Sequence, residues 1–465
     1  MRHRCVHMRR SIIAILCILG GCHLGPKYQI PTTQTPEAWK TPSYTEPGAI
    51  VENWWDIFDD PILKDLELKA LKDSPSIYVM MEKVEQARAQ AGIEEGSLYP
   101  SIDLDPLYVN YEGLGFLTGL KPVTKIHQNI YSFPFTASYQ VDLWQKYRGQ
   151  YLSAYYSAQA QFEAYRATIL TLTCDLASNY FNARSLDSQI ALLQDQIVLY
   201  RHLLSFHESR YQKGLDNYAE VLNAEQLLAN KEAEYQDSVR QRGQFENAIA
   251  VLTGVAACNF HLKPHSLDSP PPQIPAGLPS SILRQRPDIA QAERNMASMH
   301  ALIGVAYTSF LPGIDLTGGA GFISPVFREF MHWKSRFWDI FAILSQNIFN
   351  GGKNIAQLKL AEAGWKVAEG SYKEKILQAF QEVEDALLNI EKEKKREEDL
   401  IQSVTAAESN SRLSQERFRA GLVNILEVIH RDQITLENKQ NQINVLGLRF
   451  QSTIQLIQAL GGSWE

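Results

Sequence analysis

The sequence predicts a mixed α and β membrane protein, in which long coiled-coil α-helices accompany the strands of a transmembrane β-barrel that no single chain can close. Three observations carry this reading: the chain is one half written twice, each half holds a very long tract without Pro, and each half also holds short alternating strands. At 465 residues, 45% apolar and 21% charged, the chain can bury a large core and is neither disordered nor an ordinary bundle of membrane helices. Outside the N-terminus no run approaches the roughly 18 uninterrupted apolar residues of a spanning helix. Membrane contact therefore has to come through lipid or through strands.

Residues 1–21 read as a signal peptide: Arg2, Arg4, Arg9 and Arg10 precede a short apolar stretch from Ile12 to Leu19. It ends in Leu19-Gly20-Gly21-Cys22, which resembles a bacterial lipobox, with a small residue before the cut and a thiol at Cys22 to carry the lipid. His23 follows, in place of the Asp that often retains lipoproteins in the inner membrane, so the outer membrane is favoured. Residues 22–60 then form a lipid-anchored N-terminal segment. Loss of the leader removes four Arg and moves the formal net charge from -7 to about -11, which speaks against a nucleic-acid partner. Cys5 and Cys17 leave with it, and the remaining pair, Cys174 in a helical pattern and Cys258 in a loop pattern, reads as free thiols.

Repeat 1 covers 61–254 and repeat 2 covers 281–461. Arg210-Tyr211-Gln212-Lys213-Gly214-Leu215-Asp216-Asn217 returns as Arg417-Phe418-Arg419-Ala420-Gly421-Leu422-Val423-Asn424, and at the same spacing Glu220 meets Glu427, Gln226 meets Gln433 and Gly254 meets Gly461. Upstream, Pro100-Ser101-Ile102-Asp103-Leu104 corresponds to Pro312-Gly313-Ile314-Asp315-Leu316. Each half therefore runs helix, short β region, long helical tract with a turn, at Gly214 and at Gly421. Between the halves, 255–280 is a Pro-rich linker with six Pro from Pro264 to Pro279.

The strands are expected at about 101–111 and 132–143 in repeat 1 and at about 313–323 and 337–349 in repeat 2. From Phe133 to Leu143 every odd residue is apolar, a period of two. The first strand shifts its apolar phase around Pro106, and the last is apolar on both faces. Such strands fit a wall between lipid and water. Four of them cannot close a barrel, since the smallest use about eight, whereas three copies give twelve. The helical tracts are as telling: Gln150 to Lys213 contains neither Gly nor Pro, and those 64 residues extend about 95 Å at ~1.5 Å per residue. In the last tract Leu422, Ile429, Leu436, Ile443, Phe450 and Ile457 recur every seven residues, a coiled-coil seam.

With these parts assembled, the chain resembles the TolC-type outer-membrane efflux channel family, lipoprotein branch. The resemblance rests on Gly25-Pro26-Lys27-Tyr28, on Trp54-Trp55 with Phe58 and Asp60, on Leu278-Pro279 through Arg286-Pro287-Asp288, on Asp142-Leu143-Trp144 and on Phe349-Asn350-Gly351-Gly352-Lys353. It implies a homotrimer with a twelve-stranded barrel in the outer membrane and a twelve-helix tunnel reaching about 100 Å into the periplasm. It further implies a tip at Arg210, Gly214, Leu215, Arg417, Gly421 and Leu422, where a periplasmic adaptor docks and links the duct to an inner-membrane pump.

The family closes its tunnel one or two turns into the final helix, which carries the gate role onto Leu426, His430, Asp432 and Gln433. Here His430 and Gln433 stand where the family commonly has Asp and Arg. Arg431 and Asp432, neighbours on that helix, read equally as a pair on an exposed face. A periplasmic coiled-coil lipoprotein, structural or adhesive and without a channel, explains the long helices and Cys22 but leaves the strands placed once per half unexplained. Gly351-Gly352-Lys353 lacks the spacing of a phosphate loop, and His261 and His265 lack companion ligands. No enzyme activity, no metal and no cofactor beyond the covalent lipid on Cys22 are expected.

Overall fold

The structure, a computed structural model, describes residues 25–32, 35–41, 53–114, 125–267, 269–277, 279–280 and 285–462. Residues 1–21 and Cys22 lie outside the described residues. The chain forms two compact units, one of residues 1–31, 84–161 and 292–372, the other of 32–83, 162–291 and 373–465.

The first unit is organised by an antiparallel sheet of β1 (Ser101–Leu104), β2 (Leu107–Leu114), β3 (Lys125–Gln140), β4 (Gly313–Ser324) and β5 (Arg336–Ser345), in the order β1, β3, β4, β5 with β2 also on β3. Four strands were expected and five segments are seen. The difference has a local cause. β1 and β2 keep one register against β3, with Leu104 opposite Phe135 and Leu107 opposite Ser132. They part only at Asp105-Pro106, where Pro106 has no N–H to donate to a ladder. The apolar phase shift at Pro106 is therefore a change of side chains and not of backbone phase. β3 begins at Lys125 rather than at 132, because Lys125 to Ile130 lacks the period-two signal yet pairs fully with β2. β5 ends at Ser345, four residues short of the expected 349.

The second unit is helical and contains the coiled-coil turns. The α-helices are α1 (Pro61–Asp73), α2 (Pro75–Gly96), α3 (Lys146–Gln212), α4 (Tyr218–Leu252), α5 (Pro287–Thr308), α6 (Lys353–Arg419) and α7 (Ile425–Leu460), of which α2 and α5 fall mostly, and α3 and α6 partly, within the first unit. α3 and α6 have 67 residues each, about 100 Å at ~1.5 Å per residue. None of the described helices is long and apolar enough to cross a membrane. α1 starts cleanly because Asp60 accepts from the amides of Ile62 and Leu63, with Pro61 at the first helical position.

The core of this unit joins residues far apart in sequence. Phe181 stacks on Phe450 at 4.3 Å between centroids and meets Phe58 at 4.9 Å with the rings tilted, while Tyr180 Oη donates to Asp60 Oδ2 at 2.6 Å. From 255 to 277 the described residues of the Pro-rich linker have no regular structure beyond a short 3-10 turn at Ala257–Asn259, but the linker is packed: Leu262, Ile274 and Ala276 are buried, and Arg184 donates to the Lys263 carbonyl. Cys174 is buried, Cys258 is exposed, and both are free.

Candidate channel wall, docking tip and gate

The strand register sorts side chains onto two faces. Ile102 lies opposite Ala137, Leu104 opposite Phe135, Phe135 opposite Ala320 and Ala320 opposite Trp338. Phe133, Tyr139, Ile314, Leu316, Phe322, Ile340 and Leu344 share that face by the same pairing. The other face carries Asp103, Thr136, Ser138, Gln140, Asp315, Thr317 and Asp339. Phe337, Phe341 and Ile343 interrupt it, as the doubly apolar pattern of β5 anticipates. The apolar face is not covered within the chain: Ile102 is 74% exposed, Trp338 76% and Ile340 75%.

The two coiled-coil turns have the same geometry. At the end of α3, Gly214 takes φ +72° and its N–H donates to the Tyr211 carbonyl at 2.9 Å, while the Leu215 N–H reaches back to Arg210 at 2.9 Å. At the end of α6, Gly421 takes φ +75°, donates to Phe418 at 2.8 Å, and Leu422 donates to Arg417 at 2.8 Å. This double bond pattern is a Schellman cap, and its left-handed residue is the place where Gly avoids a Cβ clash. Asn217 then caps α4 by accepting from the Ala219 amide, and Asn424 caps α7 by accepting from Glu427.

Leu215 and Leu422 do not fold back over the helix pair. They are 62% and 70% exposed, apolar side chains displayed at each turn. The two Arg differ. Arg210 is engaged inside its own turn, with Nε donating to Asp216 Oδ2 at 3.0 Å and a second nitrogen to the Leu215 carbonyl at 3.1 Å. His207 Nδ1 lies 2.9 Å from the same Asp216 oxygen, and these two bonds, Arg210 first, hold the Asp216 carboxyl below the usual carboxylate range. In the second turn Val423 and Ser414 occupy the positions of Asp216 and His207, and Arg417 is exposed without a partner among the described residues.

Behind the turns, Tyr200, Leu203, Ala224 and Ile429 form a buried cluster onto which Leu426 packs. Leu426 is therefore part of the packing between α7 and the α3–α4 pair. Asp432 accepts from Ser411 Oγ and, at 3.5 Å, from Gln415 Nε2, which ties α7 to α6. Arg431 pairs with Glu427 one turn away at 2.7 Å, so the pair of neighbours Arg431 and Asp432 does not form: each side chain leaves its helix in a different direction. His430 is exposed and Gln433 half-buried.

Sequence reasoning missed His207, Ser411 and Gln415, which carry no motif of their own. The caps were within reach, because Asn217 with Glu220 and Asn424 with Glu427 repeat the Asn-x-x-Glu spacing of a helix start. His261 pairs with Glu246 at 3.2 Å and His265 with the Ser266 carbonyl at 2.8 Å. Among the described residues no group of three or more His, Cys, Asp or Glu is placed to hold a metal ion.

The outer membrane efflux protein family matches residues 68–255 and 278–462, once in each half. The chain is 28% identical over 462 residues to the cation efflux system protein CusC of Escherichia coli O6:H1, covering 96% of this chain and 97% of that one. It is 26% identical over 461 residues to the outer membrane protein OprJ of Pseudomonas aeruginosa, covering 98% and 96%. It also superposes on the open state of the MtrE outer membrane channel of Neisseria gonorrhoeae with a TM-score of 0.80 at 25% identity, covering 95% and 98%. The duplicated halves, the paired turns and the apolar sheet thus have one explanation: the chain belongs to the outer membrane efflux protein family and is an efflux channel protein of the outer membrane.

Proposed function

We propose that three copies of the chain assemble into one passive exit duct, anchored by lipid on Cys22, for cargo delivered by an inner-membrane pump through a periplasmic adaptor. The observation that carries this reading is the sheet, which has one exposed apolar face and, among the described residues, two open edges, β1 with β2 on one side and β5 on the other. In lipid each unpaired edge amide and carbonyl costs several kcal/mol, and closure with neighbouring copies removes both edges together. With β1 and β2 counted as one interrupted strand, a trimer supplies twelve strands, enough for a barrel.

The twin turns are the surface the adaptor reads. Gly214 and Gly421 set the turn, Leu215 and Leu422 display apolar side chains, and Arg417, unlike the engaged Arg210, offers a cation with no partner among the described residues. Leu426, His430, Asp432 and Gln433 lie just behind, in the zone where the passage narrows. The pump selects the cargo, since a water-filled passage needs no recognition site of its own.

Two measurements test this. A heat-modifiable trimer on a gel with single-channel steps in a planar bilayer is expected, and a trimer without conductance would favour the non-channel lipoprotein. Replacing Gly214 and Gly421 together by Val forces β-branched residues into positive φ, at roughly 1–2 kcal/mol per site. Trimer should remain in the membrane while resistance is lost, and unchanged resistance would sink the docking role.

A further inference from the structure

The apolar face of the sheet ends at one sharp boundary. On β5, Leu344, Ala342, Ile340 and Trp338 succeed one another on that face, and the next place belongs to Arg336, opposite Phe322. At the level of Arg336 the neighbouring strands carry Phe322 and Phe133, and the face runs one place further to Tyr108 and Tyr131, stacked at 4.8 Å, beyond which Asn129, Glu112 and His127 take over. Phe327 stands edge-on to Tyr131 at 5.3 Å and stacks on Phe330 at 5.7 Å. A row of aromatics at the level where an apolar face turns polar marks a lipid–water boundary, because an amphipathic ring satisfies both sides.

The charge at this boundary is one-sided. Between Val326 and Arg336 the exposed Arg328, His332, Lys334 and Arg336 face a single acid, Glu329. Arg336 lies over the Trp333 ring at 4.6 Å and donates to the Trp333 carbonyl at 3.0 Å, which holds the guanidinium at the rim. Trp333 is itself 72% exposed. Arg328, Lys334 and Arg336 have no carboxylate partner among the described residues. Cations without acids, set beside exposed aromatics where apolar surface stops, are complementary to the phosphate groups of membrane lipids: the guanidinium fork binds phosphate in two places and the Lys adds point charge.

We propose that this rim, Arg328, Trp333, Lys334 and Arg336, binds the phosphate headgroup of an anionic membrane lipid and fixes the height of the sheet in the bilayer. The proposal rests on the reading of the apolar face as lipid-facing.

The test uses the full chain, reconstituted into vesicles of phosphatidylcholine with phosphatidylglycerol, extracted, and weighed with its retained lipids by native mass spectrometry. The parent protein should retain phosphatidylglycerol over phosphatidylcholine. Arg336→Gln should lower that preference about five-fold, since each cation near a membrane surface contributes about 1 kcal/mol. Adding Arg328→Gln and Lys334→Gln should abolish it, while Arg336→Lys keeps most of it. Added inorganic phosphate should not displace the lipid, and trimer and conductance should survive in all variants. Equal retention of both lipids, displacement by inorganic phosphate, or an unchanged preference in the triple variant overturns the proposal while leaving a channel in place. Failure of the parent to insert into vesicles or to conduct overturns the lipid-facing sheet as well.

Discussion

Glu67 offers the sharpest test of how the second unit is held together. It sits on α1 at 0% exposure, and neither carboxyl oxygen has a hydrogen-bond partner among the described residues. Desolvation by burial pushes its pKa up from 4.5 to about 9. The folded chain therefore keeps a proton that the unfolded chain has released, and stability falls as pH rises from 4.5 towards 9. Each pH unit inside that window costs about 1.4 kcal/mol, so folding at pH 7 carries a penalty of about 3 kcal/mol per chain. Glu67→Met, nearly the same volume without the acid, should remove it. Thermal unfolding of the detergent-solubilised trimer, followed by circular dichroism at pH 5 and pH 8, measures the effect. The variant should melt well above the parent at pH 8, with most of the gain gone at pH 5. A gain independent of pH, or a variant less stable than the parent at pH 8, would refute the account of Glu67 as a neutral, uncompensated acid.

Three further outcomes are expected. Asn217→Ala and Asn424→Ala each lose a helix cap and should cost about 1 kcal/mol, seen as faster amide exchange at the starts of α4 and α7 with the distant core unchanged. Gly321→Ala should block assembly of the sheet, because an added Cβ would meet the Phe133 carbonyl and lie 2.8 Å from the Pro134 Cα; normal trimer yield would show that β3 and β4 can move apart. His430→Ala should change the leak through the closed, reconstituted channel in a planar bilayer, and an unchanged leak removes His430 from the gate.

Much of this protein is written in local pattern. The duplication around Gly214 and Gly421, the tract from Gln150 to Lys213 without Gly or Pro, and the alternation from Phe133 to Leu143 can be read residue by residue. Each depends on backbone sterics and on side-chain period, and neither needs a partner from elsewhere in the chain. The Asn caps were legible for the same reason.

What the sequence could not decide was pairing. That β1 and β2 share one register across Pro106 depends on which residues of β3 lie opposite them. That Asp432 turns to Ser411 rather than to its neighbour Arg431 depends on how α6 and α7 are set against each other. The burial of Glu67, and the contrast between an engaged Arg210 and a free Arg417, follow from packing that a charge pattern does not reveal. The sequence by itself determined the long helices and the turns at Gly214 and Gly421, because these follow from local conformation. Only the tertiary structure decided which polar groups meet, since hydrogen bonds and burial are properties of pairs brought together from distant positions.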